Sequence, residues 1–179
     1  MQFKKVAIQG LIEIYPAIFE DDRGLFFESF HSEKFQEAGI KENFIQSNQS
    51  FSKKGVLRGL HFQRVPFAQG KLVRVISGQV LDIAVDLRKE SPTFGQYHKC
   101  LLSAKENNML YIPDGFAHGF AALEDSIFFY MCTNVYNKDS EDGIIWNDSD
   151  LNIDWGIDNP IISDKDLILS PFAELKKTL

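Results

Sequence analysis

Two stretches of this sequence place charged and titratable side chains among apolar, β-branched residues. They are Val56-Leu57-Arg58-Gly59-Leu60-His61-Phe62-Gln63 and Lys71-Leu72-Val73-Arg74-Val75. Cations and imidazoles are costly to bury unless they are paired or bind something. An imidazole can remove a proton at neutral pH, and a nearby lysine ammonium can stabilise an oxyanion. We therefore interpret these stretches as the reactive wall of a pocket.

Gly59 decides whether Arg58 and His61 can act together. Side chains three positions apart in a regular strand point to opposite faces. A glycine between them permits a bulge that would turn both into one cavity. The alternative for His61 alone is a hydrogen-bonded histidine in the core. We favour the pocket because polar clusters recur in other apolar stretches of the chain.

Length and composition narrow the class of protein. The 179 residues suit one domain, 1–179, with a substantial core, and the net charge of -6 argues against a general nucleic-acid or acidic-membrane surface. The N-terminus lacks the apolar core of a signal peptide and no run is long enough to span a membrane, so we expect a cytoplasmic protein. Cys100 and Cys132 lie in strand-like sequence, which favours buried free thiols over a disulfide or a metal clamp.

Short extended runs separated by turns predict an all-β sandwich or barrel. The turn at Asp21-Asp22-Arg23-Gly24 and the break at Ser77-Gly78 are examples. A short helix is predicted over Glu33–Ala38, with Ser32 as its N-cap and Gly39 as its end. Two strands are expected over 71–87, and the second alternates between one face with Leu81, Ile83, Val85 and Leu87 and another with Val80, Asp82, Ala84 and Asp86. The further expected elements are strands over 44–51, 97–102 and 127–133, a strand-turn-strand unit over 109–120, and a terminal helix over 172–177.

Position alone leaves open whether Arg23 and Glu28 are a surface turn and an edge charge or part of a functional site.

Two further side-chain patterns leave a structural and a functional interpretation open. Gln46, Asn48 and Ser50 alternate with period two, so one strand face carries hydrogen-bonding groups that face either solvent or a wet cavity. Tyr130 lies on one side of an apolar strand with Phe128 and Cys132. A buried tyrosine needs a partner for its hydroxyl, so Tyr130 is either a structural anchor or a proton donor.

The sequence lacks the motifs of metal-dependent catalysis, of nucleophilic hydrolysis and of nucleotide-cofactor binding. The four histidines are isolated, no His-x-His occurs, and the charges of Arg58 and Lys71 would oppose a divalent cation. Neither a Gly-x-Ser-x-Gly elbow nor a glycine-rich nucleotide loop is present. We therefore expect no catalytic metal and no cofactor. Acid–base catalysis beside phosphate or carboxylate recognition remains.

Six collinear motifs resemble the dTDP-4-dehydrorhamnose 3,5-epimerase family. They are Asp-x-Arg-Gly at 21–24, Gln-x-Asn at 46–48, Arg-Gly-Leu-His-Phe-Gln at 58–63, Gly-Lys-Leu-Val-Arg-Val at 70–75, Ile-Pro-Asp-Gly-Phe-Ala-His-Gly-Phe at 112–120 and Ser-x-Lys-Asp at 163–166. The resemblance implies a cupin-type jelly-roll barrel with short peripheral helices, a homodimer, and a dTDP-4-keto-6-deoxy sugar as substrate.

The resemblance also implies a role for each matching residue. His61 matches the general base, Asp166 its paired carboxylate, Tyr130 the acid on the opposite face of the ring, and Lys71 the residue near the C4 oxygen. Phe19 and Tyr136 match aromatics that hold the thymine. The remaining nucleotide-sugar contacts would be Arg23, Glu28, Gln46, Asn48, Arg58, His118, Glu141 and Lys165.

This chemistry suits inversion at C3 and C5 of dTDP-4-dehydro-6-deoxy-D-glucose. The C4 ketone acidifies both hydrogens, because the carbanion delocalises onto oxygen as an enolate. Relatives that invert only C3 or only C5 use the same histidine, tyrosine and lysine, so a single inversion stays open. A non-catalytic cupin that binds a nucleotide sugar or a metal is the alternative from another class.

Overall fold

A computed structural model describes residues 1–179 as strands joined by loops, the longest of which covers residues 144–163, with three short α-helices and one 3₁₀ helix at Lys138–Ser140. The strands are β1 (Gln2–Lys5), β2 (Ile12–Tyr15), β3 (Ile18–Asp21), β4 (Gly24–Phe27), β5 (Gln46–Ser52), β6 (Leu57–Gln63), β7 (Lys71–Ser77), β8 (Gln79–Asp86), β9 (Tyr97–Ser103), β10 (Met109–Ile112), β11 (Phe116–Ala122), β12 (Ser126–Cys132) and β13 (Glu141–Gly143). The α-helices are α1 (Ser32–Glu37), α2 (Asp164–Leu167) and α3 (Phe172–Leu175).

Two antiparallel sheets form the barrel. One has six strands in the order β1-β2-β10-β7-β12-β5, and the other has five in the order β13-β6-β11-β8-β9. Strands β3 and β4 pair only with each other, as a separate hairpin around the predicted turn at Asp21–Gly24. The predicted all-β jelly-roll barrel with short peripheral helices is confirmed.

Alternation along the strands explains how the layers separate. On β8, Val80 and Ala84 pack in the apolar cluster between the sheets, while Ile83 and Val85 pack in a second cluster on the outer face. This is the period-two division that the sequence predicts. Trp155, Phe172 and Leu175 cover the outer face of the five-stranded sheet, and Phe35 belongs to the cluster on the outer face of the other sheet.

The helices differ from the prediction in detail. Helix α1 begins at Ser32 instead of Glu33, and its N-cap is His31, whose side chain makes no capping hydrogen bond. The Ser32 cap was therefore wrong, because the Phe35 N–H bonds to the His31 carbonyl and draws Ser32 into the first turn. Helix α3 ends at Leu175, before the predicted Lys177. None of the helices has the length and apolarity needed to cross a membrane.

A bulge at Gly59 turns one strand of the barrel toward the interior. Across β6 and β11, His61 pairs with His118 and Arg58 with Phe120, so two residues of β6 lie opposite Gly119 alone. Gly59 has φ +124°, and a Cβ there would lie 2.5 Å from the Gly119 Cα. The bulge thus requires glycine for both its backbone angle and its close approach.

Replacing Gly59 with alanine should destabilise the protein more than the same change at Gly55. Gly55 also has positive φ, at +85°, but a Cβ there meets nothing within 4 Å. Gly55→Ala therefore carries only the backbone strain, about 1–2 kcal/mol, whereas Gly59→Ala adds a clash between two backbones. Urea unfolding of both variants measures the difference. Equal losses of unfolding free energy would show that the close approach at Gly119 costs nothing.

Candidate active site

The barrel contains a cavity of about 550 Å³ between its sheets. A second lobe of about 220 Å³ shares three of its lining residues, His61, Lys71 and Tyr130. The sequence-predicted residues that line the first lobe are Arg58, His61, Lys71, His118, Tyr130, Lys165 and Asp166. Those that the second lobe adds are Gln46, Asn48, Tyr136 and Glu141. The fold therefore brings eleven predicted residues from distant parts of the sequence together around one cavity.

His61 and Asp166 form a hydrogen-bonded pair at the cavity wall. His61 Nε2 lies 2.7 Å from Asp166 Oδ1, and Asp166 Oδ2 accepts the Gly59 N–H at 3.2 Å. An ionised carboxylate can only accept, so in the neutral imidazole Nε2 carries the proton and Nδ1 has the free lone pair. The side chain of His61 is 28% exposed, so that lone pair can meet a ligand.

Helix α2 presents Asp166 to the imidazole. Ser163 caps this single turn, and its Oγ accepts the Asp166 N–H at 3.2 Å. Burial alone would raise the pKa of the Asp166 carboxyl, but the hydrogen bonds from His61 and the Gly59 N–H hold that pKa below its ordinary value. The carboxylate therefore stays ionised behind His61. The sequence did not predict α2, since a four-residue helix has no apolar periodicity to reveal it.

Lys71 and Tyr130 come from the opposite sheet. They lie on the neighbouring strands β7 and β12, whereas His61 lies on β6 of the five-stranded sheet. Burial lowers the pKa of the Lys71 ammonium, and burial raises the pKa of the Tyr130 phenol, which keeps Tyr130 protonated. A ligand in the cavity would thus lie between an imidazole on one side and a phenol on the other.

His118 has its own buried carboxylate, Asp82. The His118 Nε2 atom lies 2.8 Å from Asp82 Oδ2, and the other carboxylate oxygen, Oδ1, has no hydrogen-bond partner. Burial lowers the pKa of His118, although Asp82 opposes this effect. Sequence reasoning did not assign Asp82 to the site. Its signal was an acidic residue on the interior face of a strand, between Val80 and Ala84.

The second lobe is held by a short polar network. Glu141 Oε2 accepts the Tyr136 hydroxyl at 2.6 Å and pairs with the Lys165 ammonium at 2.5 Å. Gln46 Oε1 accepts the Tyr136 backbone N–H at 2.9 Å, and Gln46 donates to Asn48 at 3.2 Å. The polar face of β5 therefore lines a cavity, which resolves the alternative that the period-two pattern left open.

Arg58 lines the cavity without an acidic partner. Its guanidinium donates to the Ser52 hydroxyl at 3.0 Å and to the Phe51 carbonyl at 3.2 Å. These neutral acceptors position the cation and leave its charge uncompensated. A free guanidinium at a cavity wall is suited to bind a phosphate through paired hydrogen bonds.

Three sequence-predicted residues lie outside the cavity of this chain. Phe19 and Arg23 are on the β3–β4 hairpin, where Phe19 is 65% exposed and Arg23 is paired with Asp21. Glu28 follows the hairpin and pairs with Lys34 at 2.6 Å. None of the three lines either lobe. Their predicted ligand contacts therefore cannot be made within one chain as it stands.

Comparison with known proteins agrees with this geometry. A family model described as dTDP-4-dehydrorhamnose 3,5-epimerase matches residues 5–174. The dTDP-4-dehydrorhamnose 3,5-epimerase of Shigella flexneri is 50% identical over 176 residues, which are 97% of each protein. The crystal structure of the dTDP-4-dehydrorhamnose 3,5-epimerase from Elizabethkingia anophelis has a TM-score of 0.93 and 45% identity, over 97% of each chain.

A further structure carries a ligand. It is a dTDP-6-deoxy-D-glucose-3,5-epimerase from Legionella pneumophila in complex with dTDP-4-keto-L-rhamnose, with a TM-score of 0.92 and 43% identity over 97% of this chain and 96% of that one. Sequence identity of 43–50% over nearly the full length shows common family membership and not only a shared fold. The chain belongs to the dTDP-4-dehydrorhamnose 3,5-epimerase family.

Proposed function

We propose that this protein inverts C3 and C5 of dTDP-4-dehydro-6-deoxy-D-glucose and so forms dTDP-4-dehydro-L-rhamnose. The observation that carries the proposal is the position of His61, Lys71 and Tyr130 around one cavity, with His61 and Tyr130 on opposite sheets. Inversion of a carbon needs a base on one face of the sugar ring and an acid on the other. Family membership specifies the keto sugar on which such a pair would act.

His61 is the proposed base. Its Nδ1 lone pair would take the proton next to the ketone, and Asp166 would then stabilise the imidazolium that forms. Because Asp166 is itself fixed by the Gly59 N–H, the ring orientation is set before substrate binds. The bulge therefore contributes to catalysis by orienting the base.

Lys71 is the proposed partner of the enolate oxygen. The enolate places negative charge on O4, and a buried ammonium stabilises that charge more strongly than water does. Removing a group of this kind commonly costs about 10²–10³ in rate. Tyr130 would return a proton from the opposite side of the ring.

The remaining polar residues are proposed to bind the nucleotide. Arg58 would hold the diphosphate through its unpaired guanidinium, with Lys165 and His118 nearby on the cavity wall. Tyr136 would stack on thymine, and Gln46, Asn48 and Glu141 would fix its surroundings. The proposed reaction uses no metal and no cofactor, since a base, an acid and an ammonium suffice for both inversions.

We also propose a cytoplasmic homodimer in which the hairpin of one copy completes the site of the other. The hairpin exposes Leu25 and Phe26 by 53% and 70%, which is unfavourable for an isolated chain. An apolar groove of about 330 Å³ also lies on the outer face of the six-stranded sheet, between Phe30 and Phe129. Pairing would cover these surfaces and would bring Phe19, Arg23 and Glu28 to the cavity of the other copy.

The proposed cytoplasmic location is supported by the two free cysteines, which fit a reducing compartment.

Turnover in heavy water should place deuterium at both C3 and C5 of the product. Each inversion removes a carbon-bound proton and returns one from an acid in exchange with solvent. Mass spectrometry and proton NMR of the recovered sugar measure this. His61→Ala should abolish incorporation at both carbons, while His31→Gln, which changes an imidazole outside the cavity, should retain it.

The pattern of labelling separates the candidates. Deuterium at one carbon alone would replace the double inversion with a single one. Absence of exchange at both carbons, in a protein that still binds the sugar, would identify a non-catalytic cupin instead.

The pH profile should reveal the charge on Lys71. Burial lowers the Lys71 pKa from 10.5, and the ammonium is the active form, so kcat should fall as pH rises through a midpoint below 10.5. Lys71→Arg should be slower but should keep its charge, because a guanidinium does not lose its proton in this range. Its alkaline limb should therefore move upward, toward the raised pKa of Tyr130. An identical midpoint in both proteins would assign the limb to another group.

Mixed dimers should test the shared site. His61→Ala and Arg23→Ala are each expected to be nearly inactive at low substrate, but a dimer with one chain of each contains one site with both native residues. Unfolding and refolding an equal mixture should restore about one quarter of the native sites, because half of the dimers are mixed and each has one intact site. Mixing without subunit exchange is the control. If activity does not return although mixed dimers form, Arg23 acts within its own chain or not at all.

A further inference from the structure

A second cluster of reactive side chains lies outside the cavity, between the two sheets. Glu13 on β2, and His98 and Cys100 on β9, place one ligand atom each within 4.8 Å of the others. It is the one group of three or more such side chains with this spacing, and none of its members lines either lobe of the active site. We propose that these three side chains bind a Zn²⁺ ion that joins the two sheets of the barrel.

The spacing of the donors suits a tetrahedral ion. Zinc bonds of 2.0–2.3 Å separate neighbouring ligand atoms by roughly 3.3–3.7 Å. His98 Nε2 lies 3.0 Å from Glu13 Oε1, and the full set lies within 4.8 Å, so the required separation falls inside the observed range. Small side-chain rotations would bring the three atoms onto one ion. His98, whose side chain is 19% exposed, leaves a route for water as the fourth ligand.

The type of donors also favours zinc. A thiolate, an imidazole and a carboxylate form a mixed set that zinc accepts, whereas calcium and magnesium require oxygen ligands. The charges of one thiolate and one carboxylate cancel those of the ion. A neutral site is what an apolar surrounding tolerates, and Leu11 and Leu110 are buried in the same interior layer.

The carboxylate and the thiol of the proposed site are both buried. Glu13 and Cys100 are only 7% and 4% exposed, and Glu13 is held by Lys4 at 3.2 Å and by the Tyr15 hydroxyl at 2.9 Å. Lys4 is no obstacle to a cation, because its side chain is 62% exposed and can turn into solvent. The Glu13 carboxylate would then bind the buried ion in place of the Lys4 ammonium at the surface.

Such an ion would stabilise the fold and take no part in the epimerase reaction. Strands β2 and β9 belong to different sheets, which share no backbone ladder. A bond from each strand to one ion would tie the sheets together at the edge away from β5 and β13. The sequence pattern favours a free thiol at Cys100, because it does not reveal that Glu13 and His98, 85 positions apart, lie side by side.

Cobalt substitution tests the proposal in the full-length, untagged protein. After removal of metals with a chelator, Co²⁺ should bind at one ion per chain and should produce a sulfur-to-cobalt charge-transfer band that Zn²⁺ then abolishes. Zinc at about a hundredfold above Kd should raise Tm by about 5–10 °C. Cys100→Ser should abolish the band, and Cys132→Ser, which removes the other thiol, should keep it.

Glu13→Gln provides a variant that retains the shape of the side chain and much of its hydrogen bonding. It should weaken Co²⁺ binding by at least about tenfold, and its metal-free Tm shows whether the protein remains folded. The proposal is overturned if no charge-transfer band appears, if the band survives Cys100→Ser, or if folded Glu13→Gln binds Co²⁺ as tightly as the unmodified protein.

Discussion

The close approach of β6 and β11 at Gly59 is the constraint on which the site depends. The bulge sets two residues against Gly119, and so Arg58 and His61 both face the cavity instead of opposite sides of the sheet. The same glycine offers its N–H to the Asp166 carboxylate, which in turn holds the imidazole. A single backbone irregularity therefore positions the Arg58 guanidinium, the His61 imidazole and the Asp166 carboxylate behind that imidazole.

The barrel interior tolerates these polar groups because most of them are paired. Asp166 accompanies His61, Asp82 accompanies His118, and Glu141 accompanies Lys165. Burying a charge without such a partner costs free energy. Removing one member of a pair would therefore destabilise the fold, because the other would be left buried and unpaired. Each imidazole is oriented by its own carboxylate, so His61 and His118 hold separate, fixed positions in the cavity wall.

Local rules in the sequence were sufficient for most of the strands and for the bulge, but they did not predict β1 or β13. Alternation identified the two faces of β8, and a glycine between two polar residues in an apolar run predicted the turn of Arg58 and His61 into one cavity. Contacts between distant segments escaped these rules. Asp82 is recognised as part of the site only when the fold places His118 beside it. Helix α2 has only four residues, which is too short for an apolar periodicity. Phe19, Arg23 and Glu28 lie outside the cavity of one chain, and their proposed roles would require a second copy, which a single sequence does not describe.

An acidic chain can bind a diphosphate because only a few charges matter locally. Of the cations that line the cavity, Lys165 is neutralised by Glu141, while Arg58 and Lys71 have no ion-pair partner. The Lys71 ammonium lies in surroundings of low dielectric, where it acts more strongly than the net charge of -6 spread over the surface, and Arg58 lies at the exposed wall of the same cavity. The same two cations would oppose a divalent ion in the cavity. Charge thus separates the two polar regions of the barrel, since Glu13, His98 and Cys100, the proposed zinc ligands, lie outside the cavity that the cations occupy.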